Sequence, residues 1–247
     1  MTTSFYAPPG QFNGPRVVLP PSEARHAVRS LRHEPGDVIA VVDGTGGWHR
    51  VRLEAAGKQR VVGTVVERRY NVGEPRVPFI LAVGVLKKRS RFETVVEKAV
   101  ELGVTTIMPL NTHRSERARI RRDRLHKIMV AALKQCGRSQ LPTLTDPCSL
   151  AHALACFPRV HAVCCHEAGP RRMALRDALD AEHSSCRGTL LAVGPEGGFT
   201  DAEVATARRS GAAIVHLGPR RLRTETAALT AAGTAMALQC VDGSDGL

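Results

Sequence analysis

The 247-residue chain has no apolar run close to the roughly 20 residues that a membrane-spanning helix needs. Its first ten residues, MTTSFYAPPG, lack the basic head and apolar middle of a secretory signal. The expectation is a cytoplasmic protein with no membrane partner. Cysteine is sparse and unpatterned: Cys136, Cys148, Cys156, Cys164, Cys165, Cys186 and Cys240 contain no CxxC pair, and an odd number is awkward for a disulfide framework. The segment 161–166, HAVCCH, has zinc-ligand chemistry, but a strand would send Cys164 and Cys165 to opposite faces and spoil a shared site, so no metal is expected. The run Gly44-Thr45-Gly46-Gly47 lacks both the Lys-Ser/Thr of a P-loop and the Rossmann spacing, and reads as a hairpin turn.

Acidic side chains are the other shortage. Asp and Glu number 23 against 35 Lys and Arg, a formal charge of +12 with a pI near 10.1. Such an excess implies a polyanionic partner, with a generally basic, solvated surface as the alternative. Residues 1–72 hold ten Lys and Arg against six Asp and Glu, residues 76–140 fifteen against five, and residues 141–247 ten against eleven. The basic excess therefore lies in the first half of the chain.

What is present fits one or two globular domains with a sizeable core, since 43% of residues are hydrophobic. Residues 1–72 read as a small β-rich module: 17–19, 37–42, 48–53 and 61–67 are short β-branched runs separated by Pro35-Gly36, Gly44 to Gly47 and Gly57-Lys58. One helix over 23–31, capped by Ser22, presents Arg25, His26, Arg29 and Arg32 at helical spacings, so several cations can face one phosphate backbone. Residues 71–78, with Gly73, Pro75 and Pro78, form a linker. A buried strand (79–83), a helix (91–102) and a second strand (105–110) follow, the order of a parallel sheet. Lys87-Lys88-Arg89-Ser90-Arg91 sits where the first strand hands over to the helix, the end of an open α/β sheet where ligands bind, and reads as an RNA contact over a solvated loop. Residues 111–124 carry Arg114, Arg117, Arg119, Arg121, Arg122 and Arg124 with few apolar anchors, as a loop or helix start suited to RNA phosphates and unpaired bases.

Two glycine-rich loops end the chain's second half. Each follows an apolar run, 190–193 or 213–216, and precedes a helix. Thr200-Asp201-Ala202-Glu203 has capping-box spacing, so the first helix starts near Asp201 and ends near Gly211; Thr224 caps the last, whose small apolar residues run over 227–238. The loop motifs GPEGGFT (194–200) and LGPRRLRTETAALTA (217–231) resemble the RsmE family of ribosomal RNA methyltransferases, within the SPOUT superfamily. RFETVVEKAVELGV (91–104) and KQCGRSQLP (134–142) are similar to the family's pattern as well. The likeness covers most of the chain and is weakest before about residue 75. Phe199 and Arg221 depart from it, standing where aliphatic or apolar residues are common.

The resemblance implies an α/β protein: a PUA-like RNA-binding β-barrel over 1–72 and a SPOUT methyltransferase domain over 73–247, with a parallel sheet and a deep trefoil knot in about 160–240. It implies S-adenosylmethionine as cofactor, a homodimer with the last helix in its interface, and methylation at N3 of one uridine (U1498 in the usual rRNA numbering) of 16S ribosomal RNA in the small ribosomal subunit. Another RNA target, transfer RNA or a ribose hydroxyl, and a non-catalytic RNA-binding protein are the alternatives. Cys165 and His166, then Gly194, Pro195, Glu196 and Gly197, then His216, Leu217, Gly218, Leu222, Thr224 and Thr226 are the expected cofactor contacts. Arg25, Arg29, Arg32, Lys87, Lys88, Arg89, Arg91 and Arg114 are the expected RNA contacts. Methylating N3 requires an extruded base and stabilised negative charge on the uracil, for which Arg223, Glu225 and Arg138 are the candidates. Each has a structural reading beside it: Arg223 in its own loop, Glu225 at the positive end of the last helix, Arg138 as a helix-capping cation.

Overall fold

The computed structural model describes residues 4–57, 60–115, 120–167, 172–180 and 187–241. Lys58, Arg117, Arg119 and Cys186, singled out in the sequence, lie outside that set. The chain divides into two units, Met1–Glu74 with His126–Leu141, and Pro75–Leu125 with Pro142–Leu247. The division is therefore not a single cut in the sequence.

The first unit is built on β1 (Phe5–Tyr6), β2 (Phe12–Asn13), β3 (Arg16–Val18), α1 (Pro21–Arg25), β4 (Val38–Val42), β5 (Gly47–Ala56) and β6 (Val61–Tyr70). The strands form one sheet in the order β1-β4-β5-β6-β3-β2, antiparallel except for β1 with β4. Period-two patterning governs β5, where His49, Val51 and Leu53 are buried while Arg50, Arg52 and Glu54 are exposed. Register shifts on β5 between Arg50 and Val51 and between Leu53 and Ala55 add twist, and the sheet curls around Phe5, Val17, Leu19, Ile39, Val41 and Val61. The result is a half-barrel with β1 and β2 as its edges, an open form of the β-barrel that the resemblance implies. The β4–β5 connection is the expected hairpin, its turn held by the Asp43 carboxylate, which accepts from the Thr45 and Gly47 N–H groups.

The helix differs from expectation at its start. Ser22 is not its cap: Pro20, in an extended conformation, precedes Pro21, whose fixed φ is pre-organised for the first helical position. After α1 the backbone widens into a π-turn over His26–Ser30, and Arg32 takes φ 56°. Arg25, Arg29 and Arg32 all remain exposed, while Glu23 turns inward and accepts from Lys134 Nζ at 2.7 Å.

The second unit contains β7 (Phe79–Gly84), α2 (Arg89–Glu101), β8 (Thr106–Leu110), the start of α3 (Arg122–Cys136), β9 (Thr143–Leu144), α4 (Leu150–Cys156), β10 (His161–Cys165), β11 (Met173–Ala174), α5 (Leu175–Asp180), β12 (Thr189–Val193), α6 (Asp201–Arg209), β13 (Ala213–His216) and α7 (Thr224–Val241). All seven strands are parallel, in the order β11-β13-β10-β12-β7-β8-β9. Their near-continuous apolar sequences follow from burial on both faces. Ile80, Ala82, Cys164, Leu190 and Ala192 pack with residues of α4 and α6, while α2, α5 and α7 cover the other face. The Thr200 capping box is formed in full, and α6 ends at Arg209 ahead of Gly211 at φ 82°. For α7, the Arg223 carbonyl accepts from the Ala227 N–H at 2.8 Å, so Arg223 rather than Thr224 occupies the capping position. No helix among the described residues is long and apolar enough to cross a membrane.

From His126 onward α3 belongs to the first unit, and Arg138 just beyond it is pinned there. Its guanidinium donates to Glu74 through Nε at 3.1 and 3.2 Å and Nη2 at 2.6 Å, and Glu74 also accepts from the Ser139 and Gln140 N–H groups. Both side chains are nearly enclosed, 4% and 7% exposed. Arg138→Ala would leave a buried carboxylate without its cation, and should lower the unfolding free energy by about 3 kcal/mol in urea titrations. A loss under about 1 kcal/mol would mean that water replaces the pair at little cost.

Candidate functional site

Parallel pairing brings the C-terminal ends of all the strands to one edge, and the chain reverses its direction of travel across the sheet between β7 and β12. Ligands of open α/β sheets bind at such a reversal. There Gly84, the last residue of β7, lies against Pro195: a Cβ built on Gly84 would stand 2.4 Å from the Pro195 nitrogen. Only glycine tolerates that approach.

Beside this contact is a cleft of about 390 Å³, within the range of small-molecule sites. Three loops wall it: the end of β10 with Cys165, His166 and Glu167, the β12–α6 loop from Gly194 to Phe199, and the β13–α7 loop from His216 to Thr224. Arg91 from α2 and Arg114 from the segment after β8 complete the lining. Val193, Leu217, Leu222 and Ala227 give it apolar wall, while glycine at 194, 197, 198 and 218 exposes backbone. An apolar aromatic group with hydrogen-bonding edges would fit between them.

Hydrogen bonds tie these loops together. Lys87 N–H donates to Glu196 Oε1 at 3.3 Å, and the Gly218 N–H donates to His216 Nδ1 at 3.2 Å. Arg221 pairs with Glu167 at 3.4 Å, although both are well exposed and the pair contributes little. Arg220 and Arg223 have no side-chain hydrogen bond or ion pair among the described residues. Burial depresses the His166 pKa, with Arg172 and Arg114 adding to the depression and Asp201 and Glu167 opposing it. Its imidazole is therefore neutral at neutral pH. Buried next to it in the chain, the Cys165 thiol is pushed up by desolvation and stays protonated, as does Cys164, pushed up to about 12. Among the described residues, no three His, Cys, Asp or Glu side chains are grouped to hold a metal ion.

Two sequence profiles match the chain: one described as an RNA methyltransferase domain over residues 73–236, and one described as an RNA methyltransferase PUA domain over 19–66. Ribosomal RNA small subunit methyltransferase E of Synechocystis is 31% identical over 89% of this chain and 72% of its own length. The chain belongs to that family. Among solved structures, ribosomal RNA small subunit methyltransferase E of Neisseria gonorrhoeae, bound to S-adenosyl methionine, matches with a TM-score of 0.81 at 30% identity over 96% of this chain and 98% of its own. A probable rRNA-methyltransferase of Porphyromonas gingivalis matches with a TM-score of 0.87 at 29% identity, covering 98% of this chain and all of its own.

Of the residues expected at the methyltransferase site, Cys165, His166, Gly194, Pro195, Glu196, Gly197, His216, Leu217, Gly218, Leu222, Thr224 and Arg223 line the cleft together. Thr226, exposed on α7, and Glu225 do not. Glu225 stands behind the wall, its Oε1 3.4 Å from Arg91 Nε and its Oε2 buried without a hydrogen-bond partner. Arg138 lies in the first unit, as do Arg25, Arg29 and Arg32. Lys87 and Lys88 sit in the β7–α2 connection and Arg89 opens α2. The lining residues Phe199 and Arg220 lie within the two loop motifs though not among the expected cofactor contacts, and Glu167 carries no sequence signal beyond following His166. Gly84→Ala should push the Gly194-Pro195 turn from its place, so that the amides of residues 196–199 exchange hydrogen at least about tenfold faster. Unchanged protection would show that the contact is dispensable.

Proposed function

We propose that the chain is an S-adenosylmethionine-dependent methyltransferase that methylates N3 of one uridine of 16S ribosomal RNA in the small ribosomal subunit. The observation that carries the reading is a guanidinium, Arg223, without a partner in a cleft whose loops match those of a family with a cofactor-bound relative. The residues present suit S-adenosylmethionine: apolar walls for an adenine, glycine backbone at its edges and arginines for a carboxylate. The cofactor supplies a methyl group activated on a sulfonium.

Leu217 and Leu222 would pack on the adenine, and Gly218, beside which an added Cβ meets nothing within 4 Å, would admit close backbone contact, while Gly194 and Gly197 let the loop pack on itself and on Arg114. Neutral His166 adds no further positive charge for a sulfonium to meet in a cleft already lined by five arginines. Arg223 holds the uracil and stabilises the negative charge that develops as the N3 proton leaves. Glu225, whose Oε2 has no hydrogen-bond partner among the described residues, does not line the cleft; its part is to hold the lining residue Arg91 through the ion pair at Oε1. Arg138, paired with Glu74, fixes the segment that follows α3.

Lys88, Arg89, Arg25, Arg29 and Arg32, which have no ion pair among the described residues, take RNA phosphates together with Lys87, and the half-barrel of residues 1–72 serves as the PUA-like RNA-binding domain. In the methyltransferase domain of residues 73–247, two strands later in the chain, β12 and β13, flank β10, an order compatible with a deep trefoil knot in about 160–240. A homodimer through α7 fits Gly233, beside which an added Cβ would meet nothing within 4 Å; a helix-interior glycine costs about 1 kcal/mol relative to alanine and is useful where another helix approaches closely. A ribosomal RNA substrate is consistent with a cytoplasmic protein.

Small subunits lacking the modification, incubated with labelled S-adenosylmethionine and digested to nucleosides, should yield N3-methyluridine from a single site. Arg223→Ala should lower kcat about 100-fold with cofactor affinity held within about threefold. Label in a ribose or in another base would overturn the uridine N3 assignment. The folded pKa of His166 is depressed, so its neutral form persists below the ordinary imidazole value and is lost only as pH falls through the lower, folded value. Calorimetric affinity for the cationic cofactor should accordingly hold through the ordinary imidazole value and weaken only at lower pH, and His166→Gln should flatten that trend.

A further inference from the structure

The turn after β8 is built as a rigid clip. Thr112 N–H donates to Ser115 Oγ at 3.1 Å, the two hydroxyls lie 2.9 Å apart, Ser115 N–H donates to the Thr112 carbonyl at 3.0 Å, and Asn111 N–H donates to the Cys148 carbonyl at 2.8 Å. The clip fastens at two points to the β12–α6 loop and to the helix that follows it. His113 N–H donates to Glu203 Oε1 at 3.0 Å, while the other oxygen of Glu203 closes the Thr200 capping box. Arg114 Nη1 donates to the Gly197 carbonyl at 2.8 Å and to the Phe199 carbonyl at 3.4 Å. Its aliphatic stem also lies on the loop: a Cβ added at Gly197 would come within 3.1 Å of Arg114 Cβ and 3.3 Å of its Cδ.

A glycine-rich loop has many conformations to lose, and holding one of them before the ligand arrives removes part of the entropy cost of binding. Two carbonyls of such a loop, fixed by one planar guanidinium from another segment, are held in that way. We infer that Arg114 is a positioning residue of the methyltransferase site, which presets the Gly194–Phe199 loop and thereby sets cofactor affinity in the absence of RNA. This rests on the reading of the cleft as an S-adenosylmethionine site. It gives Arg114 a part different from that of Arg122, which bonds to residues 144–146, and of Arg124, which bonds to Glu93. Both bonds come from one nitrogen, Nη1, and a lysine side chain, one bond shorter, places its ammonium short of that position.

The test is calorimetric titration of the full chain with S-adenosylmethionine, without RNA. Loss of a charge-assisted bond on a half-exposed side chain should weaken binding about fivefold in Arg114→Ala and about twofold in Arg114→Lys, with both unfolding midpoints within about 2 °C of the wild type. Guanidinium ion at millimolar concentration should restore part of the affinity of Arg114→Ala, which a general loss of structure would not allow. Steady-state rates on small subunits should show the KM for cofactor raised with kcat little changed. If Arg114→Ala binds cofactor as tightly as the wild type and loses only RNA affinity, the inference fails and Arg114 is a phosphate contact. Should Arg114→Ala not fold, the Arg114→Lys titration decides alone: an affinity equal to the wild type overturns the inference. A wild type that binds no S-adenosylmethionine overturns the reading of the cleft, and this inference with it.

Discussion

The unbroken parallel register of β13, β10, β12 and β7 is the constraint on which the site depends. Cys165 pairs with Val193 and with Val215, and Val193 pairs with Val83, so four chain segments end their strands level with one another. Each must then turn at the same edge, and three of those turns wall the cleft. A slip of one residue in any strand would reverse which side chains face α4 and α6 and which face α7. The glycines follow from this crowding. Where β7 and the turn after β12 finish side by side, there is no room for a Cβ at Gly84.

Charge is arranged around this frame in two ways. Some cations are consumed by the fold: Arg138 by Glu74, Lys134 by Glu23, and Arg122 by Asp146 and the carbonyls of Leu144 and Thr145. Others, among them Arg25, Arg29, Arg32 and Arg223, have no such partner among the described residues. The count of 35 Lys and Arg therefore overstates what is available to a polyanion. Partners matter more than totals in locating a binding surface.

The strands and the two loops could be read from sequence because their causes are local. Uninterrupted apolar runs bounded by glycine specify buried parallel strands, and Thr200 with Glu203 specifies the start of α6 within one turn. Arg138 could not be placed in this way, since Glu74 lies 64 residues away and nothing in either neighbourhood marks the other. The start of α1 was misread because Ser22 has a capping side chain, while the Pro20-Pro21 pair already fixes the backbone. Arg114 looked like one of six similar arginines; its bonds to Gly197 and Phe199 span more than 80 residues of sequence. That the N-terminal sheet stays open as a half-barrel is decided by bulges and edge pairing, which leave little trace in composition.

The return of residues 126–141 to the first unit bears on how the protein is made. The chain passes from one unit to the other three times, so neither is a continuous stretch that could finish alone as it leaves the ribosome. The half-barrel emerges first, but the residues that satisfy Glu74 and Glu23 lie beyond α2 and β8 in the order of synthesis. Until residue 141 has emerged, both carboxylates lack the cations that they hold in the finished fold. Domain-by-domain assembly during translation is therefore closed to this architecture, and the N-terminal unit must wait for part of its neighbour.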